Sequence, residues 1–234
     1  NHLAWFLRFE VDGKDAYPQL FKAMQDPEIL SQDTVRFEVM KQFGYFVTES
    51  TRHMSEYTPY FRTNRQTIED FSLNQIRQDL QRRTARVDDH YADLIEDANT
   101  DRLLAAERSE EYACRIIEAM ESDRSVVING NVPNEGFIDN LLDLSSVEVP
   151  ILIDKLGFHP MAVGELPAQL AALSRSNQAV QQMTVNAIID GDREAAFHAV
   201  ALDPLTSAVL SLSEIRDMFD EMWSLHGEEL AAYS

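Results

Sequence analysis

The sequence predicts an α+β fold that is mostly helical and contains a few strands. After Pro167, apolar residues recur at helical spacing almost to the end of the chain. The helices predicted there cover residues 167–189, 192–202 and 212–225. Residues 125–129 and 147–153 are short runs of mainly β-branched residues, as in buried strands. Because 44% of the residues are hydrophobic, a packed core is expected, and we predict a single unit over residues 1–234.

The first sixty residues predict one strand, two helices and a loop. Residues 3–11 are rich in large apolar and aromatic side chains and indicate a buried strand. Residues 15–24 and 33–43 have helical spacing, and Gly44 is a natural end for the second helix. Residues 45–61 are aromatic and rich in hydroxyl groups but have no regular period. We interpret that stretch as a loop that lines a site.

The middle of the chain predicts further helices before the first of the two later strands. Residues 68–97 form a polar segment with a thin apolar stripe, which predicts a long helix or helix pair. Residues 110–121 predict another helix, on which Cys114 is expected as a small buried side chain. The strand at residues 125–129 is expected to enter a turn at residues 130–136, which contain two glycines and two asparagines.

Charge and composition exclude several classes of function. The formal net charge is −20 and the pI is about 4.5, so the phosphate backbone of a nucleic acid would be repelled. No apolar run reaches the length of a membrane span, and no signal-peptide pattern opens the sequence. One cysteine cannot form an internal disulfide, which is compatible with the cytoplasm. We therefore predict a cytoplasmic protein with no nucleic-acid or membrane partner.

Several blocks of sequence resemble the α-galactosidase branch of glycoside hydrolase family 4. They include Asn-His-Leu-Ala-Trp-Phe at residues 1–6 and the aromatic residues 43–50 and 55–61, followed by residues 130–136 and Val-Glu-Val-Pro at 147–150. The resemblance implies an enzyme that hydrolyses α-galactosides with NAD and a divalent metal, usually manganese. Since the sequence opens inside the first block, we expect a C-terminal catalytic domain that lacks the N-terminal Rossmann NAD-binding domain.

The resemblance also implies roles for individual residues. It makes His2 a metal ligand, the second protein ligand being a cysteine upstream, and it places Asn1 at the substrate. Tyr57 is the first choice for the base that removes the proton at C2 of the sugar, and Tyr60 is the second. Because a phenol has an ordinary pKa near 10, such a base needs a nearby cation. His53 lies in the same stretch and is expected to contact a sugar hydroxyl.

Two asparagines in the predicted turn, Asn131 and Asn134, are expected to bind the sugar through their side-chain amides. Glu49 and Glu56 are interpreted as solvated acids, since their spacing alone does not make them an acid/base pair. No Gly-x-Gly-x-x-Gly turn occurs in the sequence, so the residues that bind NAD are expected in the missing domain. These residues alone are therefore expected to be inactive.

The implied mechanism is an elimination, in which the sugar is oxidised at C3, a tyrosinate removes the C2 proton and the glycosidic oxygen leaves. Two alternatives remain open. One is a related enzyme that acts on α-glucosides or uronic acid glycosides; the other is a non-catalytic helical interaction domain. The catalytic interpretation requires that His2, a tyrosine and an asparagine converge on one concave face. An apolar face left open by the missing domain also predicts a homo-oligomer.

Overall fold

The computed structural model describes residues 3–75, 86–87, 90–96, 98, 111–231 and 233. The helices described are α1 (Tyr17–Ala23), α2 (Pro27–Gln32), α3 (Thr34–Phe43), α4 (Thr51–Glu56), α5 (Arg65–Asp70), α6 (Ala113–Glu121), α7 (Ala168–Asp190), α8 (Arg193–Leu202), α9 (Pro204–Val209) and α10 (Leu212–Leu225). The strands are β1 (Glu10–Val11), β2 (Lys14–Asp15), β3 (Val126–Pro133), β4 (Ser146–Asp154) and β5 (Gly157–Pro160). The α+β prediction is confirmed. Within these residues, no helix is long and apolar enough to cross a membrane.

Strands β3, β4 and β5 form an antiparallel sheet in that order. Both predicted strands are confirmed, but the turn predicted at residues 130–136 is wrong in its first part, because β3 continues to Pro133. Gly130 lies inside β3 rather than in a turn, and a Cβ placed there would lie 2.7 Å from Ile151 Cδ1. The glycine thus allows Ile151 to pack closely against β3. Positive φ occurs later, at Gly136.

The three helices predicted after Pro167 are confirmed as α7, α8 and α10. Helix α9 was not predicted, because Asp203-Pro204 separates the predicted helices and resembles a simple break. The Asp203 carboxylate accepts a hydrogen bond from the Thr206 N–H at 2.8 Å, and Pro204 occupies the first turn, so the same pair also begins a helix. Ser211 and Glu214 form a reciprocal capping box at the start of α10.

Helix α7 joins two hydrophobic cores. Leu170 is fully buried in a core built on the N-terminal segment, with Trp5, Val39 and Met54 among its members. The next residue, Ala171, packs in the core beneath the sheet. A third core holds α8 against α10 through Phe197, Ala201, Ile215 and Phe219. Since α7 contacts the first two cores, it fixes the N-terminal segment relative to the sheet.

The predicted strand at residues 3–11 is wrong over most of its length, where Trp5 makes a single bridge with Val47. The chain turns within this segment, where the Leu7 N–H donates to the Trp5 carbonyl at 2.9 Å, so its aromatic side chains do not alternate between two faces. Only β1 remains, and it pairs with β2 across a tight turn at Asp12 and Gly13, both with positive φ. Asp-Gly is a strong hairpin signal that was not used.

Three other predictions needed correction in the middle of the chain. The loop predicted at residues 45–61 contains α4, which begins because Ser50 Oγ accepts a hydrogen bond from the His53 N–H. The helix predicted over 68–97 is wrong at its start: α5 ends at Asp70, and Ser72 adopts φ 55°. Residues 90–96 are helical, whereas 76–85 lie outside the described residues. Cys114 is exposed rather than buried, because α6 buries its other side.

Candidate functional site

A cavity of about 760 Å³ lies between the N-terminal segment, the sheet and α7. The N-terminal segment contributes residues 3–8 to its lining. The Trp5 indole N–H donates to Ser174 Oγ at 3.3 Å, which ties this wall to α7. The lining combines apolar side chains with polar ones from the sheet and α7, and concave sites with convergent polar groups bind small molecules.

The sheet wall of the cavity carries an unsatisfied carboxylate. Asn129, Ser146 and Glu148 line the cavity from β3 and β4. Alternation along β4 turns Val147 and Val149 into the core, so Glu148 stands on the opposite face. Its Oε2 atom is buried and has no hydrogen-bond partner in the part of the chain that the structure describes. In the sequence, Glu148 stands in the Val-Glu-Val-Pro block at residues 147–150 and carries no other signal of a site.

Helix α7 presents a polar stripe to the same cavity, formed by Ser174, Asn177, Gln178 and Gln181. These positions lie three to four residues apart, so they share one helix face. Both Ser174 and Asn177 are buried. The sequence analysis predicted the helix but not its site-facing stripe, although polar residues at helical spacing among apolar ones were the available signal.

Tyr57 lines this cavity at the C-terminal end of α4. Its backbone is fixed from two sides: its N–H donates to the His53 carbonyl at 3.1 Å, and its own carbonyl accepts a 3.0 Å hydrogen bond from Asn177 Nδ2. Burial raises the pKa of the Tyr57 phenol, and the charges of Glu49 and Glu56 raise that pKa further. The described surroundings therefore favour the neutral phenol, and a cation is needed to offset them.

Tyr60 and His53 are not among the residues that line the cavity. Tyr60 is 47% exposed, and its ring lies against Phe43 and Phe61. The Nδ1 atom of His53 lies 3.0 Å from Glu49 Oε1, and its side chain is 39% exposed. Of the two tyrosines considered, Tyr57 is thus the one placed at the cavity.

The two asparagines of the predicted turn have different surroundings. Asn131 is exposed on β3, directly across from Glu148 and on the same face of the sheet. Asn134 is 1% exposed, and its amide holds the following loop. Asn134 Nδ2 donates to the carbonyls of Ile138, Leu141 and Leu142, and its Oδ1 accepts from the Ile138 N–H. Since these bonds use both ends of the amide, we no longer propose Asn134 as a sugar contact.

Asn1 and His2 lie outside the described residues, although the next residue, Leu3, lines the cavity. Among the residues described, no group of three or more His, Cys, Asp or Glu side chains could hold a metal ion. The resemblance assigns one metal ligand to this chain, His2, and that residue lies outside the described part.

Comparison with known proteins identifies the family. A sequence model of the family 4 glycosyl hydrolase C-terminal domain matches residues 1–206. An α-galactosidase from Bacillus subtilis is 42% identical over 235 residues, which cover 100% of this chain and 54% of that protein. An α-galactosidase from Rhizobium meliloti is 32% identical and is matched over 100% of this chain and 50% of its own length. The chain thus spans about half the length of these relatives.

Solved structures share the fold. A 6-phospho-α-glucosidase from gut microorganisms, in complex with NAD and glucose-6-phosphate, superposes with a TM-score of 0.67 at 19% identity, over 100% of this chain and 55% of that one. A structure of such an enzyme with NAD and Mn²⁺ gives a TM-score of 0.64 at 20% identity, over 94% of this chain and 51% of that one. The chain belongs to the family 4 glycosyl hydrolases, with the C-terminal domain of that family over residues 1–206.

Proposed function

We propose that the chain is the C-terminal part of an NAD- and divalent-metal-dependent α-galactosidase, with Tyr57 as its catalytic base. The observation that carries the proposal is the placement of Tyr57 in the cavity that Glu148 also lines, beside the segment that begins at Leu3. Identity of 42% to an α-galactosidase supports this sugar over a phosphorylated one. Family membership argues against a purely non-catalytic interaction domain.

The residues of this chain have three roles in the proposed reaction. The cavity walls shield the sugar from bulk water, and Asn177 holds the backbone of Tyr57 in place. The Tyr57 phenolate accepts the proton from C2 of the sugar, once that carbon has been acidified by oxidation at C3. NAD, when bound, supplies that reversible oxidation. The glycosidic oxygen leaves with the C1–O electron pair and takes up a proton as a double bond forms between C1 and C2. Water then adds across that bond, with OH at C1 and a proton at C2, and reduction of the C3 ketone completes the reaction.

NAD and manganese are proposed as cofactors of the complete protein, because family members of this fold have been solved with them. NAD-binding residues are not assigned within this chain, and no group of three or more metal-ligating side chains occurs among the described residues. His2 remains the proposed ligand from this chain. Oligomer formation and cytoplasmic location stay predictions.

The experiment measures hydrolysis of p-nitrophenyl α-galactoside by the complete polypeptide after removal of metal and nucleotide. Activity is expected only when NAD and Mn²⁺ are both restored. In D₂O, the galactose released should carry deuterium at C2, because elimination breaks the C2–H bond whereas direct displacement leaves it intact. Parallel assays with the α-glucoside and the α-galacturonide test the alternative sugars. Undiminished turnover without NAD, or product without deuterium, would refute the proposal.

A further inference from the structure

Among the described residues, Glu148 is the charged side chain on the sheet wall of the cavity, and the proposed reaction leaves it unused. Its neighbours along β4, Val147 and Val149, are buried in the core, so the strand itself is held by packing and not by the carboxylate. Burying a carboxylate oxygen without a hydrogen bond is unfavourable. An unpaired carboxylate oxygen of this kind, on a residue that lines a cavity, indicates that a hydrogen-bond donor arrives with the ligand.

Within the described residues, the cation that lines this cavity is Arg8. Its guanidinium is already paired with Glu10, at 2.5 and 2.9 Å, and its side chain is 81% exposed. The other polar lining groups near Glu148 belong to uncharged side chains, Asn129 and Ser146. The surroundings therefore suit a neutral ligand that carries several O–H donors better than a ligand with a second negative charge.

We propose that Glu148 is a sugar-binding residue whose carboxylate accepts hydrogen bonds from one or two hydroxyl groups of the pyranose in this cavity. This inference rests on the proposed function and deepens it. A carboxylate at the cavity wall is a strong acceptor for a sugar O–H, and such a bond fixes the orientation of the ring. Asn131 is the cross-strand partner of Glu148 on the same sheet face, but it is not among the residues that line the cavity.

The test compares the complete wild-type polypeptide with its Glu148→Gln variant, in the presence of NAD and Mn²⁺. Calorimetric titrations use galactose and its 2-, 3-, 4- and 6-deoxy derivatives. Because hydrogen bonds to a charged group are strong, galactose should bind the variant about 10- to 100-fold more weakly. At least one deoxy sugar should bind both proteins equally. The hydroxyl missing from that sugar is the one that donates to the carboxylate. Without sugar, the midpoint of thermal unfolding should not fall, since β4 is held by the packing of Val147 and Val149 and not by the carboxylate.

Glu135→Gln is the matched control, because Glu135 is exposed and should change neither affinity nor stability. Equal binding of galactose by wild type and Glu148→Gln would overturn the inference. So would a uniform loss for galactose and all four deoxy sugars, or a lower unfolding temperature with unchanged binding. If the Gln variant does not fold, Glu148→Asp keeps the charge but withdraws it by one methylene, and it should weaken binding as well.

Failure of the proposed function can be distinguished from failure of this inference. A wild-type protein that does not hydrolyse α-galactosides refutes the proposed substrate. In that case the titrations are repeated with glucose and its deoxy derivatives. The role of Glu148 is supported if one missing hydroxyl weakens binding to wild type but not to Glu148→Gln. If wild type hydrolyses α-galactosides but every missing hydroxyl weakens binding equally in both proteins, only the role of Glu148 is refuted.

Discussion

The two faces of β4 have opposite chemistry. On one face Val147, Val149, Ile151 and Ile153 are all at most 4% exposed and fill the core beneath the sheet. On the other face Glu148 and Pro150 line the cavity, and this face is half-buried from Glu148 to Asp154 and exposed at Ser146. The first face is explained by apolar contacts within the chain. On the second, the buried Oε2 of Glu148 has no partner among the described residues.

This difference separates the residues that stabilise the fold from those that bind a ligand. A strand needs one apolar face to pack, and the other face is free to carry groups that folding alone would not select. Substitutions on the core face should therefore change the free energy of unfolding. Those around the cavity should change activity and binding with smaller effects on stability.

The largest effect is expected at Tyr57. Tyr57→Phe removes the proposed base and should lower kcat of the complete enzyme by about 10²- to 10⁴-fold, the range for loss of a general acid–base group. The midpoint of thermal unfolding should change little, because the ring is retained. Tyr60→Phe is the matched control, since Tyr60 does not line the cavity, and it should retain near wild-type activity. A larger loss in Tyr60→Phe would reverse the assignment of the base.

The core face is tested by Ile153→Ala, whose side chain is fully buried. The cavity left by truncation should cost about 2–5 kcal/mol of unfolding free energy, measured by urea titration. Leu152→Ala provides the comparison, because Leu152 is the adjacent residue on the opposite, half-buried face. Its effect on unfolding should be clearly smaller. Equal losses at the two positions would mean that both faces of β4 contribute to the core.

Sequence periodicity predicted the regular elements well, because each has a continuous apolar face. The long helix α7 and the alternating strand β4 are examples in which local pattern and burial agree. Residues 3–11 failed for the opposite reason: their aromatic side chains pack on several partners, and the chain turns at Leu7. Composition indicated burial there but not the direction of the backbone.

The candidate site was less predictable, since its members come from distant parts of the sequence. Family blocks pointed to Tyr57, whereas Asn177 was missed because its contact with Tyr57 joins residues 120 positions apart. Asn134 shows the converse error: an asparagine after a strand suggested ligand binding, but its amide is used by the loop. Sequence alone did not tell a structural amide from one that faces a ligand.

Substitution of Asn177 tests whether helix α7 contributes to the reaction by holding Tyr57 in position. Asn177→Asp keeps the shape but loses the N–H that donates to the Tyr57 carbonyl, which should cost about 1–3 kcal/mol of stability. If Asn177 positions the base, kcat should fall by about 10-fold while KM changes less. Gln182→Glu, on an exposed part of the same helix, is the control. An unchanged kcat in Asn177→Asp would leave Asn177 with a role in folding only.

The smallest effect is expected at Asp154, at the far end of the face that carries Glu148. The pKa of Asp154 lies below its ordinary value because His159 Nε2 bonds to its Oδ1 at 2.9 Å and the Leu156 N–H donates to the same oxygen. A depressed folded-state pKa contributes stability above the ordinary pKa of about 3.9, and this contribution is lost as the pH falls through the folded-state value.

Wild type should therefore be more stable than His159→Ala at pH 5. This difference, measured by thermal unfolding at constant ionic strength, should diminish as the pH falls below about 4. Asp143→Asn, at an exposed position, should not alter this profile. A gap that persists at low pH would mean that His159 stabilises β5 by packing instead of through Asp154. Asp154 has its partner within the sheet, whereas for Glu148 none is found among the described residues. Substituting the partner of Asp154 should therefore change stability without changing sugar affinity, whereas substituting Glu148 should change affinity.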